Sequence, residues 1–378
     1  MDLFKFIPGA DPSFLENGQT LNKIKTASWT ERYVEAGEFE ITAGVSSGLR
    51  SLLPVGTMIS HIDTFEVMIV ETVNLKEDTT DSIGEPQLTI KGRSLESWFR
   101  QRIVGGDIES YVFLGERLML PVNEYLLAMD TSWEQTKTMI EDHVINTFTG
   151  QHDDVDGFAV ISNQQHIGSS TSQARVMRKQ NLHSAVLELL AVDDFGIKVV
   201  RPNPGNVDPT KTEFRIHNGI DRTADVIFSH AFGDLEKPEY LWADGILKTD
   251  FFCRSNYYEM RGINETIEGF NRRILYVDCT DLDDHLDEAG AIAAFSDIQA
   301  AMDVRGQQAL RSQAATNLLS TDVAKRSRYK FKRHYDVGDI VAVHGNYDEQ
   351  SVMRIVEHVT FLDEKGETGY PTLAAVNE

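Results

Sequence analysis

The sequence predicts an α+β protein that is mostly β, with two small β-barrels near the chain ends, an α+β insertion domain and a partly helical domain. Three observations carry this reading. The window Ser28-Trp29-Thr30-Glu31-Arg32-Tyr33-Val34-Glu35-Ala36-Gly37-Glu38-Phe39-Glu40-Ile41 places a turn before a strand that alternates apolar and polar residues. The window Tyr329-Lys330-Phe331-Lys332-Arg333-His334-Tyr335-Asp336-Val337-Gly338-Asp339-Ile340-Val341 has the same form near the other end. Between them, apolar residues recur at helical spacing, and 378 residues exceed one ordinary domain.

Residues 1–104 read as the first barrel. Phe39 and Ile41 share one strand face, with Glu38, Glu40 and Thr42 on the other. Pro54-Val55-Gly56-Thr57 is a turn entering a strand. Residues 65–73 are so continuously apolar that a strand covered on both faces is expected. A polar hairpin loop over 74–86 leads to the alternating strand Leu88-Thr89-Ile90-Lys91-Gly92. Ser94 to Ile103 reads as a short helix, with Ser94 as N-cap and Ser97 and Arg100 outward.

Residues 105–232 form the α+β insertion. Helices are expected over 131–148 and 181–191, then strands over 195–200 and 213–217, separated by a proline-containing loop. Residues 233–320 combine strands with the longest helical region, 285–320. Ala291, Phe295, Ile298, Met302, Arg305, Leu310 and Leu318 give that region its periodic contacts, and Gly306 is expected to break or bend it. Residues 321–378 form the second barrel, sharing strands with the part before it. Its tight turn is Asp336-Val337-Gly338-Asp339 and its long strand runs from Val352 to Phe361.

The formal charge is −23, from 59 acidic and 36 basic residues, which opposes general DNA binding. Lys325, Arg326, Arg328, Lys330, Lys332 and Arg333 form a basic run within this acidic chain. Alternation with Tyr329 and Phe331 reads as a strand with one charged face. Subunit contact, a solvated strand and nucleic-acid binding are the three readings of it, and the acidic balance favours contact with an acidic neighbour. Cys253 and Cys279 are too few for a disulfide framework, and reduced core thiols fit better than one buried bridge. No apolar stretch reaches the roughly 18–20 residues that span a bilayer. With no signal peptide evident, synthesis in a cytoplasm is expected.

The search for chemistry finds little, and neither catalytic residues, metal nor cofactor are expected. His143, His152 and His166 lack zinc-ligand spacing. The turn Asp153-Asp154-Val155-Asp156-Gly157 begins like a calcium loop, but its twelfth position is Asn163 rather than Glu. Asp278, Asp281, Asp283 and Asp284 read as helix-cap carboxylates. Phosphate-binding glycine loops are absent. Trp29, Tyr33 and Phe39 read as core rather than as a ligand shelf.

Taken together, the two windows resemble the siphophage tail-tip hub proteins, structural proteins of the baseplate hub family. The residues that carry the resemblance are Trp29, Arg32-Tyr33, Gly37-Glu38-Phe39-Glu40-Ile41, Ile69-Val70-Glu71, Leu88 to Leu95 and Arg102-Ile103-Val104, then Tyr329 to Val341 and Arg354-Ile355-Val356-Glu357. The resemblance spans nearly the whole chain. It implies a homotrimer whose six barrels form a pseudo-sixfold ring, joining a sixfold tail tube to a threefold tip around a channel for genome ejection. It also implies a place at the virion tail tip, and as partners a distal tail protein ring, a tape measure protein and tail fibre or spike proteins. DNA would pass through the channel without stable binding. Many relatives continue into a lytic or fibre extension; ending at Glu378, this chain is expected to leave those roles to other proteins. The alternatives are a wall-degrading hydrolase of the tail tip and the hub of a phage-tail-like injection machine.

Overall fold

The computed structural model describes residues 3–6, 21–76, 86–104, 111–113, 119–121, 124–145, 158–162, 173–178, 180–191, 193–203, 205–242, 248–255, 258–263, 269–280, 295–313, 317–324, 327–345 and 350–376. The fold class is α+β and mostly β. The first six strands are β1 (Leu3–Phe6), β2 (Ile24–Arg32), β3 (Glu38–Gly44), β4 (Met58–His61), β5 (Val67–Lys76) and β6 (Gln87–Ser94), with helix α1 (Leu49–Leu52) before β4. The middle of the chain adds β7 (Tyr111–Phe113), β8 (Met119–Pro121), β9 (Glu124–Asp130), α2 (Ser132–Ile140), β10 (Phe158–Ser162), β11 (Gln173–Arg178), α3 (Leu182–Leu190), β12 (Gly196–Val200), β13 (Thr212–His217) and β14 (Ile227–Ser229). The remainder comprises β15 (Leu235–Trp242), β16 (Asp250–Arg254), β17 (Glu259–Gly262), β18 (Ile274–Asp278), α4 (Phe295–Gln313), β19 (Asn317–Val323), β20 (Ile340–His344), β21 (Gln350–Asp363) and β22 (Gly366–Ala375).

One ten-stranded sheet joins the two ends of the chain, in the order β1-β4-β5-β6-β3-β2-β21-β20-β14, with β22 on β21. Along the described strands this path runs open from β1 to β14. The join is the antiparallel ladder of β2 on β21, from Ala27 opposite Leu362 to Arg32 opposite Glu357. At the far edge β14 runs parallel to β20, which brings residues 227–229 out of the middle of the chain into the C-terminal strands.

Two cores lie on this sheet. Trp29, Phe39, Ile41, Ile59, Met68, Val70, Leu88 and Ile90 are among the residues of the N-terminal core. Phe228, Tyr335, Val341, Val343, Met353 and Ile355 build the C-terminal one. Trp29, Tyr33 and Phe39 are all buried, as core residues. The apolar run that opens β5 has a simple cause. Met68 and Val70 face the N-terminal core, while Val67 and Ile69 pack on a third core shared with the insertion. The double coverage ends at Glu71, where exposure begins to alternate. Phe65 and Glu66 precede the strand, because Phe65 turns the chain at φ 61.

In the insertion, α2 and α3 pack beside the sheet β10-β13-β12, in which β10 and β13 are parallel. Thr131 Oγ1 caps α2 by accepting from the Glu134 N–H, and Asn181 Oδ1 caps α3 by accepting from the His183 N–H. The expected helix over 131–148 is α2 continued by a single π turn, Glu141–Ile145. The helix expected after Ser94 is a 3-10 segment, Leu95–Gln101. Ser97 is buried there rather than outward, while Arg100 is exposed as expected. Ser94 occupies the N-cap position, but its hydroxyl instead accepts from the Gly37 N–H.

The last unit packs α4 on the sheet β17-β16-β18, around Phe251, Cys253, Cys279, Ile298 and Met302. Both thiols are free and buried. Helix α4 runs through Gly306 without the expected break. The glycine is needed for close approach: a Cβ there would stand 2.1 Å from the Phe251 ring. Leu318, read as helical, lies in β19, which pairs with β15.

Candidate functional site

The structure scatters the basic run instead of lining it up. Lys325 and Arg326 lie outside the described residues. The rest is a tight turn rather than a strand. Lys332 adopts φ 60, its N–H donates to the Tyr335 carbonyl at 2.8 Å, and the N–H groups of Arg333 and His334 donate to the Lys330 carbonyl. A left-handed residue cannot continue an extended strand, which is why the alternation misleads. Lys330 and Arg333 are exposed, Arg328 reaches along the surface to buried Asp234, and Lys332 turns inward.

Lys332 enters a polar seam where three parts of the chain meet. Its Nζ donates to Asp336 Oδ1 at 2.6 Å and lies 3.0 Å from Glu31 of β2. Lys198 of β12 approaches the same aspartate at 3.4 Å. Beside it, Arg354 of β21 donates to the carbonyls of Gly338 (2.7 Å) and Asn218 (2.8 Å), and to Asp194 Oδ2 at 2.6 Å. Its guanidinium carbon lies 4.8 Å from the centre of the Tyr33 ring. The Tyr33 hydroxyl donates to the Asp194 carbonyl at 2.6 Å. Gly338 takes φ 97, and a Cβ there would come within 2.6 Å of that ring. The turn is completed by Asp339, which accepts from the Asp336 N–H, the Ile220 N–H and Arg222. N-terminal strand, insertion and C-terminal turn are thus locked by groups that find most of their partners only when all three are assembled.

Under the seam lie three buried carboxylates, Glu31, Glu66 and Glu96. Each has one oxygen with no hydrogen-bond partner. Burial pushes the Glu96 carboxyl up to about 7, and Glu31 adds to the rise. Burial, then the charges of Glu31 and Glu96, raises Glu66 well above the usual carboxylate range. Asp336 goes the other way: burial opposes its charge, but Lys332 and Lys198 hold it well below the usual range. Burial also lowers His217 and His358, the latter to about 3.

This arrangement suits a joint better than a reaction centre. Among the described residues no group of three or more His, Cys, Asp or Glu side chains could hold a metal ion. His143 is buried and bonds the Met139 carbonyl at 2.8 Å. Asp278 accepts from the Thr280 N–H. His152, His166, the turn at 153–157 and Asp281, Asp283 and Asp284 lie outside the described residues. No described helix is long and apolar enough to cross a membrane. Sequence reasoning passed over Lys198, Asp194 and Asp336 as ion-pair partners. Arg354 carried a readable signal, a lone charge inside the apolar run Val352-Met353-Arg354-Ile355-Val356.

A sheet that fuses both chain ends, interrupted by an α+β insertion and a small helical unit, is the fold of phage tail proteins. A tail protein from Neisseria meningitidis MC58 superposes with a TM-score of 0.58 at 11% identity, over 100% of this chain and 96% of that one. The 43 kDa tail protein of prophage MuSo2 from Shewanella oneidensis gives 0.55 at 11% identity, over 99% and 98%. The family model described as Siphovirus ReqiPepy6 Gp37-like protein matches residues 11–372, and the chain belongs to that family. No curated protein matches the sequence.

Proposed function

We propose that this chain is a structural, non-catalytic component of a bacteriophage tail, at the tip or baseplate hub. The observation that carries the reading is the β2–β21 ladder. It sets an N-terminal and a C-terminal strand block side by side, so that one chain fills two positions of a sixfold ring and three chains complete it. Such a ring joins a sixfold tube to a threefold tip and surrounds the channel through which the genome leaves. Its neighbours are a distal tail protein ring, a tape measure protein and fibre or spike proteins. The net charge of −23 favours passage of DNA over retention.

The hydrolase alternative needs two carboxylates open to a substrate, one of them with a raised pKa. Glu66 and Glu96 have raised values, but they are only 4% and 3% exposed and face the seam. The test combines the mass of the purified chain with electron microscopy of labelled particles. A threefold ring of three chains, located at the tail tip, is expected. A chain that stays monomeric at every concentration, or label elsewhere on the particle, sinks the proposal.

A further inference from the structure

We propose that a basic and aromatic knob, formed by Phe232, Arg328, Tyr329, Lys330 and Arg333, is the surface on which an acidic face of a second copy of this chain docks. The number of copies rests on the ring reading above; the location of the contact rests on the knob itself. Phe232 is 69% exposed, at the end of a one-turn 3-10 segment closed by Gly233. The Arg328 guanidinium carbon stands 4.3 Å from the centre of that ring and 4.9 Å from that of Tyr329. Three further contacts hold the arginine and its turn in place. Its Nε lies 3.4 Å from buried Asp234, its Nη2 donates to the Ile227 carbonyl at 3.0 Å, and the Tyr329 ring meets Phe228 of the C-terminal core edge-on at 5.3 Å.

This is an anchor built before any partner arrives. Little side-chain freedom remains to be lost on binding, and an exposed aromatic beside a fixed guanidinium is the composition of interface hot spots. Lys330 and Arg333 stand exposed on the same turn, with no ion pair among the described residues. Lys332, the cation between them, belongs to the seam and is not part of the surface.

Charge identifies the occupant. Residues 325–333 hold six of the chain's 36 basic residues and no acid, leaving 30 basic residues against 59 acidic ones elsewhere. A second copy therefore offers acidic surface on which the knob's cations can be matched. A knob meeting a different face of the next copy is a head-to-tail contact, the kind that closes into rings.

The test uses the full chain, by sedimentation at low and moderate salt, with K330E/R333E and F232A beside the unaltered protein. Association of the unaltered chain should weaken with salt. K330E/R333E should weaken it by about tenfold or more, and F232A severalfold, with melting temperatures unchanged. Association that persists in both variants overturns the knob but leaves the ring reading intact. An unaltered chain that never associates overturns both. Duplex DNA retained by the unaltered chain and lost in K330E/R333E, with association unchanged, would give the knob to nucleic acid instead.

Discussion

Ion pairs occupy two settings in this molecule, and their distances do not tell them apart. On the outer face of the N-terminal strands, Lys91 meets Glu40 at 2.8 Å and Arg93 meets Glu71 at 2.8 Å. In the seam, Lys332 meets Glu31 at 3.0 Å and Arg222 meets Asp339 at 2.6 Å. Burial is the difference. The Lys91 and Glu40 side chains are 55% and 43% exposed, those of Lys332 and Glu31 20% and 6%. Outside, water and salt screen the pair, and its absence changes little. Inside, each charge depends on the others, and removing one strands the rest. The outer pairs decorate a sheet that hydrophobic burial already specifies. The seam pairs select which three pieces of chain may meet.

That contrast can be broken at four places. The largest effect is expected for Arg354→Ala, which leaves the carbonyls of Gly338 and Asn218 and the Tyr33 ring without their cation. A loss of about 3–5 kcal/mol should appear as a lower urea midpoint, and a loss below about 1 kcal/mol would place the seam with the outer pairs. Lys332→Ala should cost about 3 kcal/mol by stranding Glu31 and Asp336, whereas Lys332→Met, which keeps the stem packed, should cost no less if charge is the cause.

The third test is one of pH. Glu96 has its folded pKa raised from 4.5 to about 7, so its contribution is full below 4.5 and is lost as pH rises through 7. Relative to the native chain, Glu96→Gln should gain on the order of 2–3 kcal/mol between pH 4.5 and 8.5, read as diverging melting temperatures. Parallel melting curves would show that the carboxyl is not held protonated. The smallest effect is expected for Lys91→Ala, about 0.5 kcal/mol or less and vanishing in high salt. An effect as large as that of Lys332→Ala would erase the distinction between the two settings.

The strand pattern was legible because half-buried strands write their exposure into alternation. Glu38 to Thr42 and the helix expected over 181–191 follow from local rules alone. The double apolar run at 67–70 announced two covered faces, though not which two cores would cover them. The misreadings share a physical root. Gly306 carries the mark of a helix breaker, yet its missing Cβ admits Phe251, from a strand some fifty residues earlier. Alternation at 328–333 suggested a strand, yet one left-handed residue at Lys332 curls the segment and sends a single cation inward. Its carboxylate partner Glu31 is about 300 residues away in sequence, so no local pattern could foretell it. The knob was half visible: its cations formed an obvious run, but Phe232, nearly a hundred residues upstream, did not.

The β2–β21 ladder also sets a timetable. Strand β2 leaves the ribosome more than three hundred residues ahead of β21. Until β21 emerges, one edge of β2 has no partner, and an open edge invites pairing with other nascent chains. The sheet is completed by its most distant contact in sequence, a topology that folds slowly. The pairing of β2 with β21 thus acts as a check on synthesis, since a chain terminated before β21 cannot complete the sheet on which both cores rest.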